Sequence, residues 1–156
     1  MGILLSQHGV GPMEGKVRAV KEASHPITLS EVRSFLGLVG FSSTFIPDFA
    51  TIAEPLRALT TNGVKFEWTE VQDKSFQTLK EQLTEVSILV HFNMTTNTRV
   101  IAEASPVGLG AVLVQEVNGK SRAVCYASRS LGDVEWRYSQ TEKEALALEW
   151  ASEWLA

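Results

Sequence analysis

Arg33, Gly37 and Phe41 recur at every fourth position, and in a helical segment they fall along one stripe of its surface. A guanidinium, a bare stretch of backbone and an aromatic ring in one line suit contact with nucleic acid. Arg supplies a phosphate or base-edge donor, Gly lets a sugar-phosphate chain come close, and the ring lies against a sugar. The structural alternative is that Gly37 and Gly40 permit close helix packing while Phe41 is core. Other chemistry is poorly supplied. His8, His25 and His91 have no metal-ligand spacing, and Ser128, Ser130 and Cys125 have no nearby His to form a nucleophile pair. The single cysteine excludes an internal disulfide and a thiolate zinc cluster. Gly108-x-Gly110 resembles part of a dinucleotide fingerprint but precedes a strand-like run instead of following one, so it reads as a turn and a close-packed strand start.

The elements that must position these residues follow from turn, cap and periodicity signals. Gly2 to Val10 reads as a strand, a turn and a return strand. Pro12 opens a helix from Met13 to Ala23, with Val17 and Val20 as its apolar face, and His25-Pro26 stops it. Thr28 and Glu31 have capping-box spacing, and Val32, Phe35, Leu36 and Val39 follow on one helical face, which places Arg33, Gly37 and Phe41 beside the core stripe. A short helical turn lies within Phe41 to Phe49, and Pro55 starts a helix through Leu56 and Leu59 that Asn62-Gly63 ends. After a brief extended piece from Phe66 to Trp68, Thr69 and Gln72 cap a helix through Phe76, Leu79 and Leu83. From Ser87 the pattern changes to strands. Ile88 to Phe92, Arg99 to Ala104, Gly108 to Gln115 and Ser121 to Ala127 are strand-like, with an Asn118-Gly119 turn. Thr141 to Leu155 is a helix, with Thr141 and Glu144 at capping-box spacing and Ala145, Leu148 and Leu155 among its apolar positions. The boundary between the helical and strand-rich halves falls near residue 87.

Composition bounds the setting. A chain of 156 residues, 44% hydrophobic and 21% charged, can bury a core of one domain or two small ones. No window approaches the roughly 18 consecutive apolar residues of a membrane span, and Met1 to Leu5 lacks the basic start of a secretory signal, so an intracellular, non-membrane protein is expected. Net charge is −4, a weak electrostatic footprint for gripping nucleic acid. The acid excess is uneven: residues 1 to 68 carry six basic and six acidic side chains, whereas residues 99 to 156 carry six and eight. The segment with the Arg33 stripe is therefore neutral.

Five stretches carry a resemblance. Val32-Arg33-Ser34-Phe35-Leu36-Gly37, Phe45-Ile46-Pro47-Asp48-Phe49, Glu103 to Leu113, Tyr126-Ala127-Ser128-Arg129-Ser130-Leu131 and Tyr138 to Glu144 occur in an order and spacing similar to those of gypsy-class LTR retrotransposon polymerase polyproteins and, more distantly, of retroviruses. The likeness covers essentially the whole chain. It implies an α+β architecture: a small helical thumb bundle followed by a C-terminally truncated ribonuclease H-like domain, a three-stranded antiparallel meander plus a helix. Residues 1–12 would be a primer-grip-like hairpin from the end of the palm, 13–62 thumb-like helices, 63–87 a linker strand and helix, and 88–156 the ribonuclease H-like part.

In similar thumbs the Arg33, Gly37 and Phe41 stripe follows the minor groove, so the resemblance implies contact with duplex or RNA-DNA hybrid. It also implies two magnesium ions held by four carboxylates, the first at Glu103 and the second at Glu144. The family has Asp where this chain has Glu103. The added methylene shifts the carboxylate by roughly an ångström, a displacement that can cost about a hundredfold in rate. The remaining two acids are expected after Ala156 and the palm's paired aspartates before Met1; Asp48, Asp73 and Asp133 are isolated from one another in sequence. The chain alone is therefore expected to be catalytically silent, with a vestigial magnesium site. Structural readings stand beside this: Glu144 as a capping carboxylate, Glu103 as a solvent-facing strand residue, or the whole strand-rich part as a connection domain that keeps the fold without the metal site. Functional alternatives are a retained nucleic-acid-binding or protein-interaction module and a nuclease completed by another chain. The other expected partner is the rest of the polyprotein. An open edge on the first meander strand, with Trp150 and Trp154 partly uncovered, also predicts self-association.

Overall fold

The computed structural model describes residues 3–85 and 88–155. Gly2 at the expected first strand, the boundary at residues 86–87 and Ala156 lie outside the described residues. Strands β1 (Ile3–Ser6) and β2 (Gly9–Pro12) form a hairpin around Gln7-His8, with the Ser6 hydroxyl donating to the Gly9 carbonyl at 3.2 Å. Helix α1 (Glu14–Lys21) follows, one residue shorter at its start and two at its end than the expected Met13 to Ala23. Glu14 in its first turn and Arg18 and Lys21 in its last suit the helix dipole.

Helix α2 (Leu29–Gly40) begins where its cap predicts. The Thr28 hydroxyl accepts from the Glu31 amide, but the Glu31 carboxylate accepts from Ile27 N at 2.7 Å, one residue earlier than a standard box. Val32, Phe35 and Val39 are buried as expected. They meet Val20 of α1, Ile46 after a single 3-10 turn (Ser43–Phe45), Ala53, Leu56 and Leu59 of α3 (Phe49–Leu59), and Phe76, Leu79 and Leu83 of α4 (Glu70–Thr84). Thr69 and Gln72 cap α4 with both box hydrogen bonds present.

Pro55 does not start α3; it lies inside it. Proline removes the helix hydrogen bond to Thr51 O there, and tertiary contacts anchor the turn that precedes it. The Ala50 amide, orphaned in the first turn, donates to Ser128 Oγ at 2.9 Å, and the Thr51 and Ser105 hydroxyls are bonded at 2.8 Å. The second unit thus extends α3 upstream of its sequence signal.

That unit is an antiparallel sheet in the order β3 (Thr98–Ala104), β4 (Gly108–Val117) and β5 (Lys120–Ser130). Asn118 and Gly119 both take positive φ in the two-residue β4–β5 turn, the conformation their types favour. The expected strand at Ile88–Phe92 is reduced to one bridge, Val10 to Leu89. Val90 N donates to Ala123 O at 2.9 Å, and just beyond the segment Gln115, only 2% exposed, accepts from Asn93 N at 2.9 Å and donates to Asn93 O at 2.8 Å.

Helix α5 (Gln140–Leu155) covers one face of the sheet. Ala147 of α5 meets Leu109 and Leu131, with Ala102, Ala104, Leu146 and Trp150 packed around them. Two expectations need correcting. The capping box is Ser139 with Glu142, not Thr141 with Glu144: Ser139 N donates to the Glu142 carboxylate at 2.7 Å and Glu142 N to Ser139 Oγ at 3.3 Å. The buried face runs through Lys143, Ala147 and Ala151, while Ala145 is exposed and Leu148 is 56% exposed. Small alanines let the helix lie close to the sheet, so size decides the inward face here more than hydrophobicity does. The opposite face of the sheet receives the start of α3.

Candidate functional site

The stripe on α2 is displayed to solvent. Arg33 and Gly37 are exposed, and Phe41, at the helix C-cap, is 66% exposed. A Cβ placed on Gly37 or Gly40 would meet nothing within 4 Å, so neither glycine serves close packing, and Phe41 is not core. The Arg33 guanidinium makes one long contact, Nη2 donating to Thr60 O at 3.5 Å. The Lys16 ammonium of α1 stands 4.7 Å from the centroid of the Phe41 ring, a cation–π contact that periodicity within α2 could not show.

Glu103 lies on β3 with its neighbours Ala102 and Ala104 turned to α5, so alternation along the strand aims Glu103 at the other face. There it meets Asp48, the left-handed residue before α3. The Asp48 charge, a hydrogen bond between the two carboxyl groups and burial together raise the Glu103 pKa above its ordinary value of 4.5. The neighbouring acid thus disfavours the ionised form of Glu103. Gly110, paired with Glu103 across the sheet, makes the room: a Cβ at that position would collide with Asp48 Oδ1. A Cβ at Gly108 would press on Arg129 O at 2.9 Å and Thr51 Oγ1 at 3.1 Å. The Gly-x-Gly pattern therefore seats a helix terminus.

Glu144 belongs to the helix on the opposite face. Its carboxylate accepts from Gln140 Nε2 at 3.2 Å, and the same amide donates to Ala104 O at 3.0 Å. With the cap assigned to Ser139 and Glu142, Glu144 is left without a capping role. Each carboxyl group has its own polar partner, Glu103 the Asp48 carboxyl and Glu144 the Gln140 amide. Among the described residues no three His, Cys, Asp or Glu side chains converge to hold a metal ion. Magnesium needs closely octahedral oxygen ligation, and Glu103 and Glu144 by themselves do not supply such a set.

Asp48, Lys16, Gly110, Ser128 and Gln140 were not singled out from sequence as site residues. Asp48 had one signal: Asp after Pro47 tolerates the left-handed conformation of a turn. Its partner is remote in sequence, so no local pattern could identify it.

A family model described as the RNase H-like domain found in reverse transcriptase matches residues 68–155, from the cap of α4 to the end of α5. The chain belongs to that family. This RNase H-like chain is 33% identical, over 97% of its length, to the Retrovirus-related Pol polyproteins from transposons opus and gypsy of Drosophila melanogaster. It is 30% identical over 95% of its length to the Transposon Tf2-3 polyprotein of Schizosaccharomyces pombe. The resemblance to retrotransposon polyproteins read from the five motifs is thereby borne out. The chain spans only 16%, 15% and 11% of those relatives. Among solved structures it superimposes on the foamy viral protease-reverse transcriptase dRH in complex with ds DNA with a TM-score of 0.81, covering 99% of this chain and 27% of that one. The same viral protein in complex with RNA/DNA hybrid gives 0.77, covering 98% and 21%. Both are 24% identical to the RNase H-like chain, a likeness of fold. Among the described residues no helix is long and apolar enough to cross a membrane.

Proposed function

We propose that this chain is a nucleic-acid-contacting segment of a retrotransposon reverse transcriptase polyprotein, in which α2 lies along the groove of an RNA-DNA hybrid or duplex through Arg33, Gly37 and Phe41. The observation that carries the reading is the solvent-facing line of these three residues, with Gly37 open and Phe41 exposed. A core explanation of the stripe would require the reverse. The fold is shared with a viral reverse transcriptase described in complex with RNA/DNA hybrid and with ds DNA. Within this reading, residues 1–12 are a palm-end hairpin, 13–62 thumb-like, 63–87 a linker and 88–156 the ribonuclease H-like part, in an intracellular setting. The family match beginning at residue 68 favours moving α4 into the last of these.

In this reading the chain positions nucleic acid and does not cut it. Glu103 is committed to Asp48 and Glu144 to Gln140, so stable magnesium binding by Glu103 and Glu144 is not expected. The remaining polyprotein is the expected partner. The β3 edge, where Val100 and Ile101 are exposed, is the place for self-association.

The test is affinity for a labelled RNA-DNA hybrid and a matching duplex, comparing the unaltered protein with Arg33→Ala/Phe41→Ala. A loss of tenfold or more with an unchanged melting temperature supports the reading. Equal affinity of the two proteins refutes it.

A further inference from the structure

Several cations of this acidic chain are engaged by the protein itself. Arg129 is paired with Glu135, Lys80 donates to Ala23 O, Lys143 to Pro106 O, Arg99 to Ser121 and Arg57 to Ser130. Lys16 is engaged by a ring: its ammonium stands over the exposed face of Phe41, and among the described residues no carboxylate lies within salt-bridge distance of it. Its residue is only partly exposed, which fits a stem laid along apolar surface with the charge held at the tip. Arg33, at the other end of the stripe, likewise has no carboxylate partner among the described residues. Two cations with no acidic partner thus bracket a bare glycine and an exposed ring, on a surface built from two helices.

We propose that Lys16 is a further nucleic-acid-binding residue, whose ammonium takes a backbone phosphate beside the sugar that Phe41 touches and so extends the contact surface from α2 onto α1. This rests on the reading of the α2 stripe as a groove-facing surface. The chemistry is that of a point charge for a phosphodiester: sequence-independent and dependent on counterion release. A second effect follows from the contact with the ring. The ammonium that rests on Phe41 in the free protein holds the aromatic side chain in place, so nucleic acid meets a ring already oriented.

The test is a salt titration of hybrid affinity by fluorescence anisotropy for the unaltered protein, Lys16→Met, Lys16→Arg and Arg33→Ala/Phe41→Ala. Lys16→Met keeps the apolar stem and removes the charge. The expected result is a log–log salt slope smaller by about one and roughly three- to tenfold weaker binding at low salt. Lys16→Arg should restore the slope, and circular dichroism and melting temperature should not change. If the double variant weakens binding while Lys16→Met keeps the full slope, the assignment of Lys16 is overturned and the stripe reading survives. If the double variant binds as the unaltered protein does, the stripe reading fails, and this inference with it.

Discussion

The carboxyl groups of Asp48 and Glu103 share a hydrogen bond across the junction of α3 and the sheet, in a space that exists because Gly110 has no Cβ. The family resemblance implies a metal ligand at position 103. This chain instead turns that carboxyl to another carboxyl, and the pair becomes a joint between its helical and sheet parts.

The joint has a pH signature. The Glu103 pKa is raised in the folded state, so its proton stabilises the fold fully below the ordinary value of 4.5, and the contribution is lost as pH rises through the raised value. Glu103→Gln keeps a hydrogen-bond donor and cannot ionise. Thermal melts from acid to neutral pH should show a flatter profile for the variant, with its largest advantage over the unaltered protein at neutral pH. Parallel profiles would mean that the Glu103 pKa is not raised by folding.

Gly110→Ala should destabilise the protein by about 1 kcal/mol, because the new methyl displaces the Asp48 carboxyl from its place beside Glu103. Adding Asp48→Ala should recover part of that loss. Urea denaturation of the two single variants and the double variant measures the coupling, and strict additivity would place the strain elsewhere.

At the end of β5, Arg129 grips Glu135 through two hydrogen bonds, at 2.7 and 2.9 Å, and Gly132 N donates to the same carboxylate at 2.7 Å. These contacts lower the Glu135 pKa from 4.5 to about 2. The stabilisation is present above pH 4.5 and disappears as pH falls toward 2. Glu135→Gln should cost about 1 kcal/mol at neutral pH, the scale of a well-aligned but partly solvated pair. The deficit should vanish in strong acid. Tryptophan fluorescence can follow it, since the Arg129 guanidinium also lies 5.8 Å from the Trp150 ring centroid.

With magnesium and a labelled RNA-DNA hybrid, the isolated chain should release no cleavage product, and Glu144→Ala should be indistinguishable from it. Cleavage that disappears in the Glu144→Ala protein would show that Glu144 takes part in a site assembled differently from this structure.

Signals confined to a few neighbouring residues were legible in the sequence: the Thr69 and Gln72 box, the Val32, Phe35 and Val39 face, and the Asn118-Gly119 turn all appear where their chemistry places them. The Arg33, Gly37 and Phe41 line was equally readable, because one helix carries it. Departures arise where a remote group supplies what the local chain lacks. Ser128 satisfies the start of α3 ahead of Pro55 and Gln115 holds the Asn93 backbone, whereas Ser139 forestalls Thr141 as the cap of α5 by local competition. Lys16 and Asp48 share that property: each meets its partner through tertiary packing.

The seating of α3 on glycines 108 and 110 also bears on how the protein unfolds. Its first turn depends on hydroxyls and backbone space from β4 and β5, while its later turns complete the apolar cluster of α2 and α4. Neither core can open without disturbing this one helix. Despite the change in sequence character near residue 87, the two parts should melt together in one cooperative transition, with α3 as the element common to both.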